Sequence, residues 1–221
     1  MTKRCWSLPG LKRSGLWAKM WNWGWHFRAN LYTPYWNPEC GIWFDLSASM
    51  GEVKMPGWTN SGQFRTELAA VHKLPFCGPL ENVRLAARFV GMGALPDRGM
   101  FFPLGGGTLF RGYDLAQRQG SSLWVSNVEL RVPIVRDVEW DTLDHCVGAR
   151  NAWFAAFYDV GDVYANGRES GGKIAQAVGG GLRVEVAFFS FIERATFRFD
   201  VAKTVNDNTP FQFWFGMQHA F

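Results

Sequence analysis

Apolar and polar side chains alternate in short stretches along most of the chain. A β-strand sends successive side chains to opposite faces, so each stretch predicts a strand with one apolar and one polar face. Nine such stretches are present. Trp21, Trp23, Trp25, Phe27, Ala29 and Leu31 share one phase against Asn22, His26, Arg28 and Asn30. Ile42 to Met50 sets Phe44 and Leu46 against Asp45, Ser47 and Ser49; Phe64 to Ala70 sets Leu68 against Arg65 and Glu67; Val83 to Phe89 sets Leu85 against Arg84 and Arg88. After a long gap, Asn127 to Val132 opposes Val128 and Leu130 to Glu129 and Arg131, and Ala152 to Val160 opposes Phe154 and Tyr158 to Asp159. Leu182 to Val186 opposes Val184 to Arg183 and Glu185, and Ala195 to Val201 opposes Phe197 and Phe199 to Arg198 and Asp200. The chain closes with Phe211, Phe213, Phe215, Met217 and Phe221 against Gln212, Gly216 and Gln218.

Histidines aside, every charge inside these stretches falls on one parity. A lipid-facing Arg or Lys at the bilayer midplane costs roughly 2 to 4 kcal/mol, which would explain the segregation in a transmembrane barrel. A soluble sandwich, with one wet face per sheet, also alternates. The apolar phase here is unusually aromatic, while the polar phase also holds Gly, Ala and Ser, as a crowded lumen would.

The breaks at Pro34 to Glu39, Leu74 to Leu80, Ala165 to Lys173 and Asn206 to Pro210 are polar or rich in Gly and Pro, as hairpin turns are. The connection from Gly93 to Ser122 (93–122) runs about thirty residues and contains a glycine triplet and several aromatics. Loops of that length in a compact domain are usually functional, and this one is expected to fold back and pack. The stretch from Ile134 to Asn151, with Arg136, Asp137, Glu139, Asp141, Asp144 and His145, reads as a short helix or an extra recognition element.

Composition narrows the choice. Of 221 residues 48% are hydrophobic and 19% charged, which excludes a disordered chain. No window reaches the ~18 uninterrupted apolar residues of a membrane-spanning helix, so any crossing must be made by strands. Cys5, Cys40, Cys77 and Cys146 lack metal-ligand spacing and read as small packing residues. Residues 1–20, with Lys3, Arg4, Lys12, Arg13 and Lys19 and no acid, read as a solvated basic end or a partial strand rather than a nucleic-acid contact; no apolar stretch follows that would make an export signal. Residues 21–221 then form the strand-rich part. Neither metal nor cofactor is expected.

The run Leu104-Gly105-Gly106-Gly107-Thr108-Leu109-Phe110-Arg111-Gly112-Tyr113-Asp114 resembles the signature loop of the BamA/TamA superfamily of outer-membrane barrels, the bacterial surface antigen family. Asn127 to Pro133, with its inward Glu and terminal Pro, resembles the next strand of that family. Phe157-Tyr158-Asp159-Val160-Gly161 matches its F-x-D-x-G, Gly179 to Arg183 and Phe197 to Asp200 resemble the two following strands, and the chain ends in Phe221. The resemblance covers about Leu95 to Phe221. It implies an all-β fold, an antiparallel transmembrane barrel of which this chain carries about nine or ten C-terminal strands out of sixteen. It also implies that the loop folds into the lumen, where Arg111, flanked by Phe110, Gly112 and Tyr113, meets the inward carboxylates Glu129 and Asp159, beside the strand motif of Phe157 and Gly161.

Physical chemistry is compatible with that arrangement. Glu129, Asp159, Glu185 and Asp200 outnumber Arg131, Arg183 and Arg198 on the inward parity by one, and Arg111 balances them. The terminal strand also resembles the generic outer-membrane address, with Gly216 and Phe221 in place, Trp214 where a polar residue is usual and His219 where a hydrophobic one is.

Counting back from Phe221 leaves about seven family strands and the periplasmic domains unaccounted for. The chain is accordingly expected to be a fragment of a longer product, a small barrel closed by a tenth strand near Leu11 to Met20, or the partner of a second chain that supplies strands. The expected function is protein assembly or translocation at the bacterial outer membrane, without enzymatic chemistry, acting on client outer-membrane or secreted polypeptides among outer-membrane lipids, with periplasmic domains as partners and without nucleic acid. The alternative is a passive structural or pore-forming barrel. An enzyme using His145 with Asp141 or Asp144, or Asp159 with Asp162, is disfavoured because no nucleophile with a positioned base is visible. Sugar binding on a soluble, tryptophan-lined sandwich is a further alternative.

Overall fold

The computed structural model describes residues 20–33, 38–53, 61–95, 102–136, 138, 140–142, 147–165, 168–169, 173–188 and 192–217. Thirteen strands follow one another: β1 (Met20–Asn30), β2 (Gly41–Val53), β3 (Ser61–Lys73), β4 (Arg84–Leu95), β5 (Phe102–Leu104), β6 (Arg118–Gly120), β7 (Ser122–Val135), β8 (Trp140–Thr142), β9 (Val147–Ala165), β10 (Arg168–Glu169), β11 (Ala175–Phe188), β12 (Ile192–Thr204) and β13 (Gln212–Met217).

Nine of them form one antiparallel sheet in the order β1-β2-β3-β4-β7-β9-β11-β12-β13, which is a simple meander of neighbouring hairpins. Each of the nine alternating stretches falls on one of these nine strands, give or take a residue at the ends, and the last does so as far as Met217, the end of the described residues. Eight have 11 to 19 residues, at or above the ~9 to 11 that a tilted strand needs to cross a bilayer. Among the described residues no ladder joins β1 to β13, so the sheet is open and forms the wall of a partial barrel. The proposed closing strand near Leu11 to Met20 lies, up to Lys19, outside the described residues.

The sheet is strongly curled. Eight strand spacings of ~4.8 Å would put β1 and β13 about 38 Å apart if it were flat. Yet a single cavity of about 730 Å³ is lined by Asn30 of β1 and Trp43 of β2 on one side and by Trp214 and Met217 of β13 on the other.

The two faces divide as the alternation predicts. Phe27, Phe64, Phe89, Leu130, Phe154, Tyr158, Leu182, Phe199 and Phe213 are exposed on the convex face, and among the described residues no second sheet packs on them. Soluble monomers rarely expose apolar patches beyond a few hundred Å²; a continuous apolar belt around a curled sheet belongs in hydrocarbon, which removes the sandwich alternative. Among the described residues no helix is long and apolar enough to cross a membrane, and the strands do the crossing instead.

Three expectations are corrected. The stretch from Ile134 to Asn151 holds no helix among its described residues: Trp140–Thr142 pairs with Val147–Ala149, so it lengthens the β7–β9 hairpin. Cys40 and Cys77 are exposed free thiols rather than packing residues, because both sit in turns beyond the strand ends; Cys5 and Cys146 lie outside the described residues. The inner face is also not uniformly polar. At the end where the long loop departs, Val90, Met92, Leu123, Val125, Val163, Ala175 and Ala177 form a dry bed together with Leu104, Phe110 and Tyr113 of the loop.

Candidate functional site

The long connection between β4 and β7 turns back onto the concave face. Its strands β5 and β6 pair as a small hairpin, Phe102↔Gly120 to Leu104↔Arg118, and carry the segment between them inward. Leu104, Phe110 and Tyr113 are fully buried in the apolar bed, and the Phe110 and Tyr113 rings lie 4.7 Å apart between centroids. Gly112 makes the seating possible. A Cβ there would fall onto the Ala177 methyl of β11 and reach Thr204 of β12 at 3.0 Å.

This approach delivers Arg111, 2% exposed, to the middle of the wall. Its Nε and Nη2 donate to the two oxygens of Asp159 on β9 at 2.8 and 2.6 Å, a planar two-point grip. Its backbone N–H donates to the same carboxylate at 3.1 Å, and Nη1 donates to Glu129 of β7 at 2.8 Å. The guanidinium lies over the Phe157 ring, 3.4 Å from its centroid, an arrangement in which the negative ring face favours the cation. Gly161 lies two residues beyond Asp159 on the same strand and face, where a Cβ would press on the Trp124 carbonyl at 2.7 Å.

Around Arg111 the buried charges interlock. Glu129 also accepts from Arg131 Nε at 2.8 Å and from Arg183 Nε and Nη2 at 3.2 and 2.8 Å. Arg183 Nη1 donates to Asp200 at 2.6 Å, and Arg198 stands 3.4 Å from the other oxygen of Asp200. Glu185 accepts from Asn151 at 2.7 Å. Burial alone would pull the Arg111 guanidinium down, but the hydrogen bonds and charge of Asp159, with Glu129 and Asp200, more than offset it and hold the group above its ordinary value. It therefore carries its charge at every pH at which the protein is folded.

The loop also touches the strands on either side. Asn127 donates to the Leu109 carbonyl at 2.9 Å, Arg88 of β4 to that of Thr108 at 2.7 Å, and Arg198 of β12 to that of Gly107 at 2.6 Å. Tyr113 donates its hydroxyl to Asp207 in the β12–β13 turn, and Arg118 donates to the same carboxylate at 2.9 Å. Burial pushes the Tyr113 hydroxyl up, and the bond to Asp207 pushes it further, so it stays a neutral donor.

Of the sequence-derived residues, Phe110, Arg111, Gly112, Tyr113, Glu129, Phe157, Asp159 and Gly161 converge in this one region. Gly216 lies apart on β13, beside Arg198, and Phe221 lies outside the described residues. Sequence reasoning missed Asp207 and the inward role of Trp214, whose indole Nε1 donates to the Arg111 carbonyl at 2.8 Å. The signal for Trp214 was its phase, shared with Gln212 and Gly216. Asp159 is held by the guanidinium, and Asp162 accepts the Val163 N–H at 2.8 Å. Among the described residues no group of His, Cys, Asp and Glu converges to hold a metal ion.

A curled antiparallel sheet with an apolar outside and an inner face held by a docked loop is a transmembrane β-barrel wall of the outer-membrane kind. The sequence model of the Omp85 superfamily domain matches residues 28–221, and the chain belongs to that superfamily, consistent with its BamA/TamA-type branch. No curated protein matches it. The superfamily is an outer-membrane one whose members, in general, assemble or translocate proteins without enzymatic chemistry.

Proposed function

We propose that this chain forms the loop-bearing wall of a bacterial outer-membrane barrel that inserts or transports polypeptides, with the Phe110-Arg111-Gly112-Tyr113 loop as its internal brace. Glu129 and Asp159 are the acceptors of that brace, and Phe157 and Gly161 shape the strand on which it rests. The supporting observation is the four-point hold on Arg111, which ties β7 and β9 to a loop that also reaches β4, β12 and β13. A machine that passes polypeptide through its own wall needs some strands fixed while others yield, and a buried ion network fixes the strands it spans. The clients are outer-membrane or secreted polypeptides, the surroundings are outer-membrane lipids, and the partners are periplasmic domains or a second chain that supplies strands. Gly216 and Phe221 serve as the C-terminal assembly address.

The test is Arg111→Ala beside Arg111→Lys. Removing one partner from a buried ionic cluster costs about 3 to 5 kcal/mol. Arg111→Ala should therefore lose the compact, heat-modifiable form on gels and insert client barrels into liposomes poorly. Lysine, a point charge without the planar fork, should recover only part of both. A heat-modifiable Arg111→Ala protein with full insertion activity would overturn the brace. Ion conductance without client insertion by the unaltered protein would favour a passive, pore-forming barrel.

A further inference from the structure

At the place where the generic outer-membrane address carries a small polar residue, β13 carries Trp214, and its ring points to the loop rather than to lipid. The indole Nε1 donates to the main-chain carbonyl of Arg111 at 2.8 Å. The carbonyl belongs to the same residue whose side chain grips Asp159 and Glu129. The side chain also lies close against the loop backbone: a Cβ built on Gly107 would stand 3.1 Å from three Trp214 atoms, Cβ, Cγ and Cδ2. At the same loop residue, Arg198 of β12, directly across the ladder from Gly216, donates to the Gly107 carbonyl at 2.6 Å.

These contacts matter because of what else holds β13. Among the described residues its only ladder partner is β12, over six residue pairs from Phe197↔Met217 to Ala202↔Gln212. Strands β2, β3, β4, β7, β9 and β11 are each paired on both sides over ten or more residues. The lipid-facing side chains of β13, Phe213, Phe215 and Met217, are exposed, and among the described residues they meet no second sheet. An edge strand paired on one side only is the weakest part of a sheet, and local opening begins in such elements. Here the inner face supplies the missing hold.

We propose that Trp214 is a positioning residue that fastens the terminal strand to the docked loop, so that undocking the loop releases β13. The inference rests on the assembly reading only for its use, not for its geometry. A loop seated on Asp159 and Glu129 keeps β13 in register; a loop lifted from them withdraws the Arg111 carbonyl and leaves β13 held by β12 alone. The state of the loop and the freedom of the sheet edge are thereby linked.

Amide hydrogen exchange in the intact protein tests this, comparing 212–217 with β7, β9 and β11. Trp214→Phe keeps a ring of similar shape and removes the donor. It should speed exchange in β13 roughly two- to tenfold, the factor for one neutral hydrogen bond, with the other strands unchanged. Trp214→His returns a ring N–H and should restore part of the protection. Gly107→Ala, which pushes the ring by a few tenths of an ångström, should loosen β13 in the same selective way and serves if Trp214→Phe does not fold. Unchanged exchange in 212–217 overturns the fastener, and so does a rise of equal size in β7, β9 and β11, which would mark a general packing role. Client insertion measured on the same samples separates the two readings. Selective loosening in a protein that inserts no client removes the assembly function and leaves the fastener standing; an active protein with no selective loosening does the reverse.

Discussion

Strands β7 to β12 and strands β1 to β3 carry similar charges on the concave face, yet the two regions are built differently. In the first, Glu129, Asp159, Arg183 and Asp200 are all at most 3% exposed, and each meets at least one opposite charge within 3 Å. In the second, Arg28 donates to Asp45 at 2.8 Å and Arg65 to Glu67 at 2.8 Å, but the two arginine side chains are 55% and 45% exposed. Composition does not separate them. The loop does: its described hydrogen bonds reach from Arg88 on β4 to Trp214 on β13, and the inner face of β1 and β2 lies beyond that span. The same kind of ion pair is a structural brace under the loop and a solvated surface feature beside it.

Glu129→Gln should show the largest effect. That carboxylate accepts from Arg111, Arg131 and Arg183, so neutralising it leaves several buried guanidinium groups short of an acceptor charge. A loss of about 3 to 5 kcal/mol is expected, read as a lower midpoint of the heat-modified transition and of urea unfolding in detergent. An effect no larger than that of Asp45→Asn would erase the contrast between the two regions.

Gly112→Ala comes next. Its methyl meets Ala177 and Thr204, two residues on the strands that the loop must approach, and overpacking of this kind costs typically about 1 to 3 kcal/mol. The prediction sharpens the comparison because it unseats the loop without touching a charge. Exchange protection should fall under the loop, in Val125 and Val163, and stay unchanged in β2. Equal protection in both would mean that the loop is not what distinguishes them.

How far the sequence foretold these regions depends on what each signal measures. Alternation reports which side of a strand a residue takes, and it placed all nine wall strands and the side on which Glu129, Asp159 and Asp200 stand. It does not report what covers that side. Along Val90, Gly91, Met92, Gly93 and Ala94 the alternation fades, because the loop dries the inner face and both sides can be apolar. Trp214 shows the same limit: its phase marked it as inward, but an aromatic residue in an inward position makes sense only once residues a hundred positions earlier in the chain lie against it. The hairpin at Trp140–Thr142 was hidden by a charge-rich turn whose residues fit a helix equally well.

Arg28→Ala should have the smallest effect, and it probes the open region directly. Asp45 keeps His26 Nε2 at 2.8 Å after Arg28 is removed, and water reaches the vacated place because Arg28 was half exposed to begin with. Exposed pairs of this kind contribute about 0 to 1 kcal/mol. At ~1 M salt, where the screening length falls to about 3 Å, even that contribution should fade, whereas the cost of Glu129→Gln should persist. Unfolding of both variants at low and high salt gives the comparison. If Arg28→Ala costs as much as Glu129→Gln and resists salt, then something in the working protein covers β1 and β2 as the loop covers β7 to β12, and the open region is a docking face for further strands rather than a solvated lumen wall.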